Sequence, residues 1–76
     1  MLEPGAFGGD DEMIGRTGLV TAAITPGHLG EIMVSIRGGS EAFHAYGAEP
    51  GDTIPKGTRV VVVDHFPPRT VVVSPV

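Results

Sequence analysis

The clearest pattern in the chain lies in Glu31–Arg37, where Ile32, Val34 and Ile36 occupy every second position. A period of two belongs to a strand, so Ile32, Val34 and Ile36 are expected inward and Met33, Ser35 and Arg37 outward. The same reading of Ser40–Tyr46 places Phe43 and Ala45 on one face and His44 and Tyr46 on the other. Three more segments rich in Val, Ile and Thr predict strands, at about Gly15–Ile24, Thr58–Phe66 and Thr70–Ser74. Gly18, inside the first of these, marks a bulge or bend. The valine run Val60–Val63 has no polar alternation, which predicts a strand covered on both faces.

Turn residues separate the five segments. Thr25-Pro26-Gly27 ends the first strand. Gly38-Gly39 predicts a two-residue type I′ hairpin, because glycine takes positive φ at both central positions. Glu49-Pro50-Gly51-Asp52 has the residue order of a type II turn, and Pro67-Pro68 turns the chain again. Pro75 predicts an edge or a terminus, where a missing N–H costs little. Regular helix is excluded. The longest stretch free of both Gly and Pro is Thr58–Phe66, nine residues, whereas helices average about eleven to twelve.

Five short strands with apolar residues on both faces cannot be satisfied as an open flat sheet. Rolling them into a barrel encloses one core and removes the edges, so the expected class is all-β: a small five-stranded OB-type β-barrel. Gly47–Pro55 leaves only loop where that fold usually has a helix. Residues 1–13, with the acidic run Asp10-Asp11-Glu12 and no periodicity, predict a flexible N-terminal arm. The expected division is therefore an arm over 1–13 and a barrel over 14–76.

Composition narrows the function. Seventy-six residues make a single small domain, and the absence of cysteine excludes disulfides and thiolate metal sites. Nine acidic against five basic residues give a net charge of −4, so the basic stripe of a generic nucleic-acid binder is missing. No apolar run reaches the roughly eighteen residues that span a bilayer, and the start Met1-Leu2-Glu3-Pro4-Gly5 lacks the features of a signal peptide. Any membrane segment is expected upstream.

Candidate chemistry is sparse. His28, His44 and His65 with Asp52 or Asp64 have no metal-ligand spacing, and Asp10-Asp11-Glu12 lacks the alternating ligands of a calcium loop. Ser35, Ser40 and Ser74 sit on no nucleophile elbow, and Lys56 is not at the hairpin tip a carrier domain requires. The reading is no catalytic residue, no metal and no cofactor. Arg16, Arg37, Arg59 and Arg69 with Phe43, Tyr46 and Phe66 define an alternative, an OB-type surface for single-stranded nucleic acid or oligosaccharide. Outward apolar residues, Met33 and Tyr46 with some of Val61, Val63 and Val72, point instead to a protein contact, as would an unpaired edge strand. The candidate interaction surface is Met33, Arg37, His44 and Tyr46.

Four segments in order resemble one known family. They are Ile14-Gly15-Arg16-Thr17-Gly18-Leu19-Val20, Gly30-Glu31-Ile32-Met33-Val34, Phe43-His44-Ala45 and Ile54-Pro55-Lys56-Gly57-Thr58-Arg59-Val60. Together they resemble the C-terminal soluble domain of NfeD-like bacterial membrane proteins, over roughly Ile14–Val76. Phe43 stands where the family often has Trp, and the Pro26–Gly30 turn is longer than in its shortest members. The resemblance implies an OB-type barrel following transmembrane helices, at the cell membrane and facing the cytoplasm. It also implies a non-enzymatic scaffold role, with a stomatin/flotillin-class membrane protein or copies of itself as partner. It carries no catalytic residue onto this chain, and nucleic acid is not an expected partner.

Overall fold

Isolated strands cannot satisfy their own backbone, so each of the five must find two neighbours or present an edge. In the computed structural model, which describes residues 12–36 and 38–76, all five find two. The strands are β1 (Thr17–Ala22), β2 (Gly30–Ile36), β3 (Gly39–Gly47), β4 (Arg59–Phe66) and β5 (Thr70–Pro75). They close into a barrel in the order β1-β2-β3-β5-β4, with β1 pairing back to β4. Four pairings are antiparallel and β3–β5 is parallel. Among the described residues each of the five strands has a neighbour on both sides, so none is left as an unpaired edge strand.

The period-two reading of β2 and β3 holds. Ile32, Val34, Phe43 and Ala45 are buried, Ile36 is partly buried, and Met33, Ser35, His44 and Tyr46 face out. The valine run behaves differently from the expectation. Val60 and Val62 are fully buried, Val61 is half-buried and Val63 is exposed, so β4 has one core face and one outer face. A closed barrel has a single interior, and Val63 on its outside is 43% exposed.

Two bulges shift the pattern. The first falls at Thr21, between the pairs Val20–Ile32 and Ala22–Glu31, and not at Gly18. Gly18 lies in regular register with Val34 and Val60. Its lack of a side chain serves close approach, since a Cβ there would sit 2.9 Å from the Met33 carbonyl oxygen. The second bulge falls at Val63, between Val62–Val73 and Asp64–Val72. That extra residue puts His65, paired with the buried Val71, on the inward phase.

The turns also differ in detail. The β2–β3 ladder closes on the pair Ile36–Gly39, and Gly38 has a φ of +82° while Gly39 stays extended in the strand. Gly39 therefore belongs to the ladder and not to the turn. In 49–52 the Asp52 N–H donates to the Glu49 carbonyl at 3.0 Å, but Gly51 lacks the positive φ of a type II turn.

Among the described residues the core cluster is aliphatic apart from the Phe43 ring. Ile24 and Ile54, both 1% exposed, exchange backbone hydrogen bonds of 2.9 and 2.8 Å beyond the end of β1. They plug the barrel end that a helix would otherwise cover. Met13, assigned above to the arm, is 6% exposed and packs into the same core from the opposite end of β1. Asp10, Asp11 and the rest of the expected arm up to residue 11 lie outside the described residues.

Among the described residues, His65 carries the buried side-chain nitrogens that lack a partner. Both ring nitrogens are buried without a hydrogen-bond partner among the described residues, and the ring meets Phe43 edge-on at 6.3 Å. A buried polar group without a partner costs about 1–3 kcal/mol. His65→Leu is therefore expected to stabilise the barrel by about 1 kcal/mol, raising the thermal midpoint by about 4–8 °C. A calorimetric scan showing an unchanged or lowered midpoint would refute this.

Candidate interaction face

The outward residues of the barrel are placed by register, so the strand pairings show which of them meet. Arg59 on β4 lies opposite Leu19 on β1, Leu19 opposite Met33 on β2, and Met33 opposite Ala42 on β3. This makes one continuous row across four strands. Leu19 is 45% and Met33 37% exposed, a high value for large apolar side chains directly beside each other. Three of its members, Arg59, Leu19 and Met33, line an open groove of about 450 Å³, together with Arg16, Gly18 and Ser35.

The two arginines differ in state. The Arg16 guanidinium donates to the Glu12 carbonyl at 3.2 Å and to the Ser35 carbonyl at 3.4 Å, and sits 3.8 Å from the Glu12 carboxylate. These contacts hold it at the groove's margin. Arg59 is exposed, and its side chain makes no ion pair or hydrogen bond among the described residues.

Of the four residues expected to form a surface, three share the outer face. His44 pairs with Glu31 and Thr70, which puts it diagonal to Met33 at roughly 7–8 Å. Tyr46, 47% exposed, pairs with Val72 further along β3, roughly 13 Å from the Met33 row at 3.3 Å per residue. Met33 and Tyr46 thus mark two ends of the face. Arg37 lies outside the described residues. Sequence reasoning missed Leu19 and the place of Arg59 beside it. The phase of Leu19 was readable from Val20, an inward residue beside it; its contact with Arg59 needs barrel closure.

The other candidates separate. Phe43 is 5% exposed in the core, and Arg69 is drawn over its ring at 5.5 Å while pairing with Glu41 at 3.0 Å. Neither is available for stacking a base. His28 sits in a turn, His44 faces out and His65 faces in. Among the described residues no three His, Cys, Asp or Glu side chains are grouped to hold a metal ion. Nor is any helix among them long and apolar enough to cross a membrane.

The closed five-stranded barrel, with no helix among the described residues, places the chain in the class of small OB-type β-barrel domains. The NfeD C-terminal domain model matches residues 17–74, and the chain belongs to that family. The fold is similar to the soluble domain of the NfeD protein YuaF from Bacillus subtilis, with 30% identity and a TM-score of 0.73 over 87% of this chain and 76% of that one. It is also similar to the C-terminal domain of stomatin operon partner protein 1510-C from Pyrococcus horikoshii. There the identity is 35% and the TM-score 0.64, over 87% of this chain and 91% of that one. The soluble domain of a Corynebacterium glutamicum membrane protein implicated in regulation of membrane protease activity shares the fold at 21% identity. Its TM-score is 0.69, over 82% of this chain and 89% of that one. No curated protein sequence matches the chain.

Proposed function

We propose that this barrel is a non-enzymatic interaction domain of an NfeD-type membrane protein, held at the cytoplasmic side of the membrane. Its partner is a membrane protein of the stomatin/flotillin class. The observation that carries this reading is the outer face, where Leu19, Met33 and Tyr46 expose apolar surface. The barrel's closure supports side-chain contact over strand addition. The stomatin operon partner protein, a relative at 35% identity, supports the partner class. The described residues offer no grouped acid, base and nucleophile that would support catalysis instead.

Binding to a stomatin-class protein reconstituted in lipid nanodiscs tests the reading. Met33→Asp places a charge at the centre of the apolar row and is expected to weaken binding by about tenfold or more, while Tyr46→Ala lowers it by a smaller factor. Both positions are exposed, so the variants should melt within a few degrees of the wild type. Unchanged affinity in both excludes this face as the contact.

A further inference from the structure

We infer that the Leu19–Met33 groove binds a partner segment carrying a carboxylate beside apolar side chains, with Arg59 as the group that selects the charge. The inference rests on the interaction reading above and specifies the partner's chemistry at that site. It starts from a mismatch of charge. The protein carries nine acidic and five basic residues, yet the groove is lined by two arginines and no acidic side chain. Glu31, the neighbouring outward carboxylate on β2, is occupied by the Thr21 hydroxyl at 2.7 Å. Glu12 is beside Arg16. Arg69, by contrast, is already matched with Glu41. Arg59 alone among the described arginines lines the groove with a side chain that has no ion-pair or hydrogen-bond partner among the described residues.

The apolar part of the site is equally specific. Arg59 lies in direct register with Leu19, and Leu19 with Met33, so a cation and two exposed apolar side chains follow one another across adjacent strands. Directly opposed residues have Cβ atoms about 4.5–5.5 Å apart. A short segment with a carboxylate one or two positions from a Leu, Ile or Val side chain spans that row. Burying the apolar side chains on Leu19 and Met33 supplies the contact area, and partial exclusion of water strengthens the ion pair to Arg59. Methionine, unbranched and adaptable, suits a site that accepts varied apolar shapes.

Nucleic acid would also bring negative charge, but the groove does not suit it. No aromatic side chain lines it, whereas single-strand binding relies on stacking platforms. The exposed aromatics among the described residues, Tyr46 beside Val72 and Phe66 beside Thr70, pair with β5 away from the Arg59–Met33 row. A net charge of −4 further opposes a polyanion.

A random-peptide phage selection against the 76-residue chain, repeated with Arg59→Glu, Arg59→Lys and Tyr46→Ala, tests this. The wild type is expected to enrich peptides with Asp or Glu next to Leu, Ile or Val. In heteronuclear NMR, the best of these shifts the amides of Leu19, Met33 and Arg59. Arg59→Glu should weaken that peptide by about tenfold or more and remove the acidic preference, while Arg59→Lys and Tyr46→Ala retain most of the affinity. Three results would overturn the inference: no enrichment of acidic peptides, an Arg59→Glu variant that binds the selected peptide as well as the wild type, or oligo(dT) competing the peptide from the groove. Concentration-dependent dimerisation lost in Arg59→Glu would also overturn it, by assigning the groove to a second copy. If the nanodisc partner still binds in a Met33-dependent manner while acidic preference is absent, the interaction reading survives and this one does not.

Discussion

Gly30→Ala is expected to be the most damaging conservative substitution in the barrel. Gly30 opens β2 in a buried position, against the backbone of Ala22 and Ala23, which follow the bulge at Thr21. A Cβ at Gly30 would lie 2.5 Å from the Ala22 carbonyl oxygen and 2.8 Å from that of Ala23, and would also meet the Ile24 side chain. Backbone oxygens cannot swing aside as a side-chain tip can. The strand must shift, and the Ile24–Ile54 plug shifts with it. Overpacking of this kind costs about 3 kcal/mol or more, against a total stability of about 4–11 kcal/mol for a domain of this size. Urea denaturation should show a markedly lowered midpoint with an unchanged slope. Gly51→Ala serves as control, since its Cβ would meet nothing within 4 Å and its φ is not positive. It should be neutral or slightly stabilising, by about 0.4–1 kcal/mol. Equal midpoints for the two alanine variants would mean that the bulge yields and the close approach is not required.

Ile54→Ala is the second large effect. The loop 48–58 takes the place of a helix, and Ile54 is the side chain that makes the loop an adequate plug. It is 1% exposed in the core cluster, and its N–H and C=O are both bonded to Ile24. Truncation removes buried methyl groups and leaves a cavity that a short strand-bridged loop cannot easily collapse. The expected loss is about 3 kcal/mol. Amide exchange at Ile24 should accelerate more than at Val34 in the middle of β2, because the bridge opens before the barrel does. A loss below about 1 kcal/mol, with Ile24 still protected, would show that the barrel end is closed by other contacts.

Much of this arrangement was legible in the residues. The alternation through Ile32, Val34 and Ile36 set the inward face of β2, and Phe43 and Ala45 that of β3, because a strand's period of two leaves no choice once one residue is buried. The absence of helix followed from the spacing of Gly and Pro. The resemblance of four short segments to the NfeD family was matched over residues 17–74. Gly30 stood in one of those segments, but its reason did not. Nothing local demands glycine at the start of β2 until the fold brings two carbonyls onto it.

What the chain's own pattern determined was the class: five strands, their main inward and outward residues, and the outer position of Met33, His44 and Tyr46. These are consequences of nearest-neighbour geometry and burial, which sequence carries directly. The tertiary structure decided three things. It placed the bulges at Thr21 and Val63, the second of which turned His65 inward, and barrel closure left the valine run a single buried face. It packed Met13 into the core, because the barrel end beside the start of β1 needed an apolar plug. It also set Arg59 beside Leu19, through a β1–β4 pairing between segments far apart in sequence. Which charge meets which apolar residue across a closing seam depends on barrel closure and register together, and no local pattern encodes both.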